Sequence, residues 1–353
     1  MKTGIVLAPR RVGRTSVDRN PDGRVPADRT HADRIPFRED PGWESFEREV
    51  LPLVPDRIRR GILGALPRGT PVNELRIRSG LPVCIVLPRS DILLDGSRPG
   101  IPEIVASREE IARTLSLISD CSYYALESEF AGGYITIPGG HRVGLSGQAA
   151  VWTDGTVRIR EVSGLCFRIA RAVRGAGASL AKELAGPDGR LASTLIVSPP
   201  GAGKTTLLRD LCRISGEGMP EAGIRPCQVG IVDERSEIAA CYGGIPQHDV
   251  GPRADVLDRC PKARGLMMVM RSAGPDVVAT DEIGGEEDAR AVAAAISGGA
   301  VVLATCHGSS LEQLKMRPYS RWLITEGYFD KAVVLSRRKG PGTVEYVGDM
   351  PRA

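Results

Sequence analysis

The chain has 353 residues, room for about two domains, and its 42% hydrophobic content suits a packed core. A formal charge of +4 with an isoelectric point near 8.6 permits an anionic partner without demanding one, and 4% aromatic residues speaks against a stacking platform for single-stranded nucleic acid. The eight cysteines form no C-x-x-C pair and no Cys/His cluster at zinc spacing, so they read as small buried residues in a reducing compartment.

Residues 1–40 repeat Asp-Arg pairs (Asp18-Arg19, Asp28-Arg29, Asp33-Arg34) with little apolar periodicity, which predicts a disordered tail. Gly4 to Ala8 is too short for a signal-peptide core, so no export is expected. Residues 41–174 read as an α+β N-terminal domain. Trp43, Phe46, Val50 and Leu51, then Ile58, Ile62, Leu63 and Leu66, predict two helices separated around Pro52 to Pro55. Leu75 and Ile77 alternate with Arg76 and Arg78 as in a half-buried strand, and Leu81 to Leu87 predicts a second. Ser107 to Glu110 is a capping-box signature ahead of Ile111, Leu115 and Ile118 on one helical face. A further helix is expected over 122–130, then a hairpin from Tyr134 to Val151 with its turn at Pro138-Gly139-Gly140. His141 and Arg142 beside those glycines are either a ligand-contact pair or structural. The Gly-, Ala- and Pro-containing segment 175–192 reads as a linker into the domain 193–353.

That second domain opens with TLIVSPPGAGKTTLLR, Thr194 to Arg209: an apolar strand, a glycine turn, and leucines at helical spacing. Such a turn aims backbone N–H groups inward, and the helix start adds unpaired donors and its dipole. Pro200, Gly201, Ala202, Gly203, Lys204, Thr205 and Thr206 are therefore the expected phosphate cradle. Lys204 would lie against the β and γ phosphates, with the Thr205 hydroxyl on Mg²⁺. Ser198 replaces the first glycine of G-x-x-x-x-G-K-[ST], which is tolerable if its backbone needs no positive φ. A chance GKT in a glycine-rich chain is the plainer alternative, and the flanking strand and helix weigh against it.

Downstream, Val229 to Val232, Val277 to Ala279 and Ala300 to Ala304 read as strands buried on both faces, the signature of a parallel sheet under helices. Ligands of such sheets bind beyond the strands' carboxyl ends. Two strands end in acidic pairs, Asp233-Glu234 and Asp281-Glu282. The aspartate of such a pair can hold Mg²⁺ and the glutamate can act on water, but sequence alone does not divide the roles. Asp281-Glu282 is preferred because Gly284-Gly285 and a strong helix follow, while Asp233 could equally cap a loop. A third strand ends at Thr305-Cys306-His307, where His307 could sense the γ phosphate or merely turn the chain. Asp249 to Arg259 is polar and turn-rich; Ala263 to Arg271 reads as a methionine-rich helix. Arg253, Arg259 and Arg271 are candidates for a finger acting across a subunit boundary, with surface ion pairs as the plainer use of each. The stretch Ala291 to Leu311 is too interrupted for a membrane span. A hairpin follows at Lys331 to Val347 with a basic tip at Arg337-Arg338-Lys339, read as a solvated turn. With only Asn20 and Asn73 in the chain, the guanine-reading N-K-x-D motif is impossible.

The ordered set SPPGAGKTTLLRD, VDERSEIA, VGPRADVLD, PDVVATDEIGG and ATCHG resembles the stage III sporulation protein AA family, ATPases related to type II and type IV secretion ATPases. The likeness extends through ELRIRSGLPV, YALESEFAGGYITIPGGHRVGLSG and FRIAR to cover about residues 43 to 349. It implies a RecA-like P-loop NTPase domain of α/β class, preceded by the smaller α+β domain, in a ring expected to be a hexamer. The implied activity is Mg²⁺-dependent ATP hydrolysis by a motor of the channel between mother cell and forespore. The implied partners are membrane proteins of that channel, and the place cytoplasmic, peripheral to the membrane on the mother-cell side. By resemblance Lys204 and Thr205 take the phosphate and Mg²⁺ positions, and Asp281 and Glu282 the Walker B pair. Glu234 falls near the acidic box and His307 near the histidine box. A nucleic-acid-stimulated motor or single-strand binding protein is the alternative, and salt-dependent binding to single-stranded DNA would mark it.

Overall fold

The alternation of Leu75 and Ile77 with arginines becomes strand β1 (Glu74–Arg78), with both apolar side chains fully buried. The computed structural model describes residues 43–119, 132–151, 157–171 and 173–350; the tail 1–40 and the helix expected over 122–130 lie outside them. Strands β2 (Cys84–Val86), β3 (Asp91–Leu93), β4 (Tyr134–Ile137), β5 (His141–Val151) and β6 (Val157–Arg168) join β1 in an antiparallel sheet ordered β3-β2-β1-β6-β5-β4. Strand β2 is shorter than the apolar run suggests: Pro82 bridges Val105, and the Val83 N–H donates to the Ile104 carbonyl at 2.9 Å.

Helical turns over 43–53 lead into helix α1 (Asp56–Ala65), and α2 (Arg108–Ile118) starts at the expected capping box. There Ser107 Oγ accepts from the Glu110 N–H, and Glu110 accepts from the Ser107 N–H. These elements close a core around Phe46, Ile58, Ile62, Ile77, Ile111, Val143 and Phe167. Burying each phenylalanine stabilises by roughly 2–3 kcal/mol.

The second sheet contains β7 (Thr194–Ser198), β8 (Val229–Asp233), β9 (Ala254–Asp258), β10 (Val277–Thr280), β11 (Val301–His307), β12 (Lys331–Ser336) and β13 (Thr343–Asp349). Their order is β13-β12-β7-β11-β10-β8-β9, all parallel except the edge strand β13. The strands are apolar throughout because alternate residues feed two cores. Ile196, Ile231 and Leu303 pack with Leu207, Leu208 and Leu211 of α3 (Lys204–Glu217). Leu195, Val197 and Val302 face α4 (Lys262–Ser272), α5 (Glu286–Ser297), α6 (Leu311–Lys315) and α7 (Pro318–Thr325) on the other side.

Strand β9 lies within the stretch whose polarity predicts turns. It is an edge strand, buried only in part, so polar residues are tolerated along it. Residues 175–192 are well packed for a segment with a linker's composition. Leu180, Leu184 and Leu191 enter the α3 core, and the N–H groups of Gly175 and Gly177 donate to the Asp210 carboxylate at 3.1 and 2.7 Å. Cys84 and Cys166 lie in the first sheet, while Cys212, Cys227, Cys241 and Cys306 are buried around the second; all are free thiols. Burial raises all six, pushing Cys212 and Cys241 up to about 12. Among the described residues no helix is long and apolar enough to cross a membrane.

Candidate nucleotide site

Strand β7 runs fully buried to Ser198, and the chain then turns through Gly201 (φ +70°) and Gly203 (φ +95°) before α3 begins at Lys204. A side chain at either glycine would force a left-handed backbone that L-residues disfavour. At Gly203 an added Cβ would also come within 3.4 Å of the Gly342 nitrogen. Ser198 ends its strand without positive φ, which meets the condition for replacing glycine there. Pro200 is exposed, Ala202 is buried under the loop, and Lys204, Thr205 and Thr206 are half-buried on the first turn of α3. The opening N–H groups of that turn have no partners within the helix.

Strand β11 lies between β7 and β10, and its register sets His307 opposite Ser198. The Gly308 N–H donates to the Ser198 carbonyl at 3.2 Å, tying the histidine's strand end to the loop. On the other side Asp281 and Glu282 follow β10. The Glu282 N–H donates to Thr305 Oγ1 at 2.8 Å, and its carboxylate lies 3.1 Å from His307 Nε2 and 3.4 Å from Arg235 Nη1. Asp281 is 1% exposed, and its Oδ1 has no hydrogen-bond partner. Lys262 Nζ stands 3.8 Å from that oxygen and also bonds Glu234. Burial pushes the Asp281 carboxyl up to about 7; Lys262 opposes the rise, and the charges of Asp233, Glu237 and Glu282 add to it.

The two acidic pairs, alike in sequence, occupy different surroundings. Asp233 is fully buried and accepts the backbone N–H groups of Glu237, Ile238 and Ala239 at 2.7, 2.9 and 2.8 Å. From the opposite side Arg209 of α3 donates to the carbonyls of Glu237 and Ile238. Burial lowers this guanidinium to about 10, against the pull of Asp233. Loop 234–239 is thus clamped between β8 and the helix that begins at the phosphate loop. Among the described residues, the non-glycine residues with positive φ are Ser236, Ala240, Arg259 and Glu282. All follow the carboxyl ends of β8, β9 or β10, so backbone strain gathers at this edge.

The first sheet reaches the same loop. Arg142 on β5 stacks over Tyr134 at 4.8 Å, donates to the Arg235 carbonyl and pairs with Glu237 at 3.2 Å. The Gly139 N–H donates to Gln247 Oε1 at 3.0 Å. His141, by contrast, is an internal strut: its Nδ1 accepts the Ala170 N–H at 3.0 Å and its Nε2 faces Glu49 at 3.0 Å. Among the finger candidates, Arg253 donates to the Gly216 carbonyl at 2.7 Å, Arg259 sits 3.5 Å from Asp258, and Arg271 is exposed on the last turn of α4.

Sequence reasoning had no place for Arg209, Arg235 and Lys262. Only Lys262 leaves a local sign, since a cation on the first turn of a helix opposes the helix dipole. The residues present fit Mg²⁺ and a nucleotide on two counts. Asp281 offers a buried oxygen lacking a hydrogen-bond partner, and Gly201 and Gly203 leave bare backbone where phosphates need close approach.

A parallel sheet with a strand between the phosphate-loop strand and the acidic strand, preceded by a smaller α+β part, defines a RecA-like P-loop protein of the kind found in secretion and pilus ATPases. The crystal structure of the pilus retraction motor PilT with bound ADP shares this fold, with a TM-score of 0.52 and 14% identity, covering 81% of this chain and 77% of that one. The chain belongs to the family described as sporulation stage III, protein AA, whose model matches residues 45–351. Stage III sporulation protein AA of Bacillus subtilis (strain 168) is 41% identical over 303 residues, 85% of this chain and 94% of that protein. The uncharacterized protein ycf45 of Porphyra purpurea is 32% identical over 167 residues, 46% of this chain and 28% of that protein.

Proposed function

We propose that this protein is a Mg²⁺-dependent ATPase that works as a ring, expected to be hexameric, driving a secretion-type motor of the channel between mother cell and forespore during sporulation. In this reading it acts in the cytoplasm, peripheral to the membrane on the mother-cell side, with membrane proteins of the channel as partners. The observation that carries it is the convergence of the phosphate loop, Asp281-Glu282 and His307 on the carboxyl edge of three adjacent strands.

The backbone of Pro200 to Thr206 binds the phosphates and Lys204 neutralises their charge. Thr205 and Asp281 would hold Mg²⁺, which would draw charge from the phosphate oxygens. Glu282 accepts the proton of the attacking water at a carboxylate oxygen. Thr305 fixes the Glu282 backbone, while His307 and Arg235 orient its two oxygens. Glu234 is held by Lys262 and serves as a positioning residue for the acidic edge.

The test is ATP binding and turnover by wild type, Lys204→Ala and Glu282→Gln, with and without single-stranded DNA, while oligomer size is followed. Lys204→Ala loses binding. Glu282→Gln binds ATP but turns over roughly 10²–10⁴ times more slowly. Retained turnover in Glu282→Gln would overturn the assignment of the base, and strong stimulation by DNA would favour a nucleic-acid motor.

A further inference from the structure

The turn 337–342, joining β12 to β13, is more than a solvated tip. The Gly342 N–H donates to the Ala202 carbonyl at 2.9 Å, inside the phosphate loop. The Gly342 nitrogen lies 3.4 Å from where a Cβ would stand on Gly203, and Arg337 Nη1 lies 3.8 Å from the same point on Gly201. The turn is internally braced as well. The Gly340 N–H donates to the Arg337 carbonyl at 3.0 Å, and Thr343 Oγ1 donates to the Gly340 carbonyl at 2.7 Å. A basic turn of fixed shape is therefore seated against the bare glycine backbone of the anion-binding loop.

Its cations are not equivalent. Arg338 is committed to Glu345, with bonds of 3.0 and 3.2 Å to the two carboxylate oxygens. Arg337 has no carboxylate within ion-pair distance among the described residues, and its guanidinium rests beside Gly201. A planar guanidinium left without an anion, next to a row of N–H donors, is shaped to take two phosphate oxygens at once.

We propose that Arg337 binds the polyphosphate chain of the nucleotide held by the loop of its own subunit. The inference rests on reading that loop as a nucleotide site. The nucleotide then bridges the start of α3 to the β12–β13 turn, so occupancy fixes the edge hairpin as well as the loop. Arg253, Arg259 and Arg271 lie outside this turn, and the contact needs no neighbouring subunit.

The experiment is equilibrium binding of ATP and of ADP, each with Mg²⁺, to wild type, Arg337→Gln, Arg337→Lys and Arg338→Gln. Unfolding midpoints without nucleotide are measured for the same proteins. Losing a hydrogen-bonded charge weakens ATP binding about tenfold or more in Arg337→Gln. Arg337→Lys recovers part of the loss, and Arg338→Gln stays within about twofold of wild type, since its charge is already paired. The midpoint of Arg337→Gln matches wild type, because the exposed side chain has no ion-pair partner to lose among the described residues. Nucleotide slows exchange of the Gly342 amide in wild type and less so in Arg337→Gln. Binding by Arg337→Gln within twofold of wild type would overturn the assignment while leaving the nucleotide site standing. Failure of wild type itself to bind either nucleotide would overturn both.

Discussion

Asp233 ends β8 and Asp281 follows its neighbour β10, each ahead of a glutamate, and replacing Asp233 tests whether their surroundings divide their roles. Its carboxylate accepts three backbone N–H groups in a fully buried position. Asp233→Ala leaves those three donors without that acceptor. At about 1–3 kcal/mol for each unsatisfied buried group, the gross loss is several kcal/mol. Relief from burying a carboxylate offsets part of it, since burial raises this group's pKa. The expected net destabilisation is on the order of 3 kcal/mol. Asp233→Asn keeps one oxygen, enough for the Ile238 and Ala239 donors, and turns an amide toward the Glu237 N–H, so about 1–2 kcal/mol is lost. Urea unfolding measures the totals, and hydrogen exchange at Glu237, Ile238 and Ala239 shows whether the loss is local. Accelerated exchange at these amides, with ATP affinity retained in Asp233→Asn, is the expected pattern. A wild-type midpoint and unchanged exchange, with turnover abolished, would refute the argument and make Asp233 a catalytic group.

Two further outcomes can be checked on the same apparatus. Gly140 has φ +74°, and a Cβ there would stand 2.7 Å from Ala240 Cβ, so Gly140→Ala destabilises by about 2 kcal/mol or more. Ala240→Gly removes the obstacle and relieves its own positive φ of 49°, so the double variant recovers part of the loss. An identical cost of Gly140→Ala in both backgrounds would show that the two residues do not touch. Glu49 is lowered from the ordinary 4.5 to about 2, chiefly by its hydrogen bond from His141. A lowered folded pKa contributes stability that is fully present above pH 4.5 and lost as pH falls toward 2. The stability gap between wild type and Glu49→Gln is therefore constant from pH 8 to about 5 and closes below that. A pH-independent gap would mean that the hydrogen bonds to the ionised Glu49 carboxylate contribute nothing.

Legibility in the sequence followed the range of the interactions. The capping box at Ser107 and the passage from strand to glycine turn to helix around Lys204 are written within a few residues, and both form where expected. Strand β9 was hidden because an edge strand can carry an exposed Asp255 and a half-buried Asp258, which erases the apolar run. The segment 175–192 has a linker's composition, yet Leu180, Leu184 and Leu191 dock on α3, a contact no local pattern announces. Nor could the chain say which of Asp233 and Asp281 keeps a buried oxygen without a hydrogen-bond partner. That depends on Arg209 approaching from α3, Lys262 from α4 and Arg142 from the other sheet, all distant in sequence.

The buried thiols make the molecule a reporter on its own opening. The thiolate is the form that alkylating reagents and oxidants attack, and burial leaves very little of it at neutral pH. In the native protein these groups react only when the structure around them parts, so the rate of labelling is a rate of local unfolding. Because buried Cys84 belongs to the first sheet while buried Cys212, Cys241 and Cys306 lie in and around the second, peptide-resolved labelling of these four follows the two halves independently in unmodified protein. A nucleotide that quiets the second set and not the first would confine its grip to one half; slowing of both would mean that the contacts of Arg142, Gly139 and Gly140 carry the grip across.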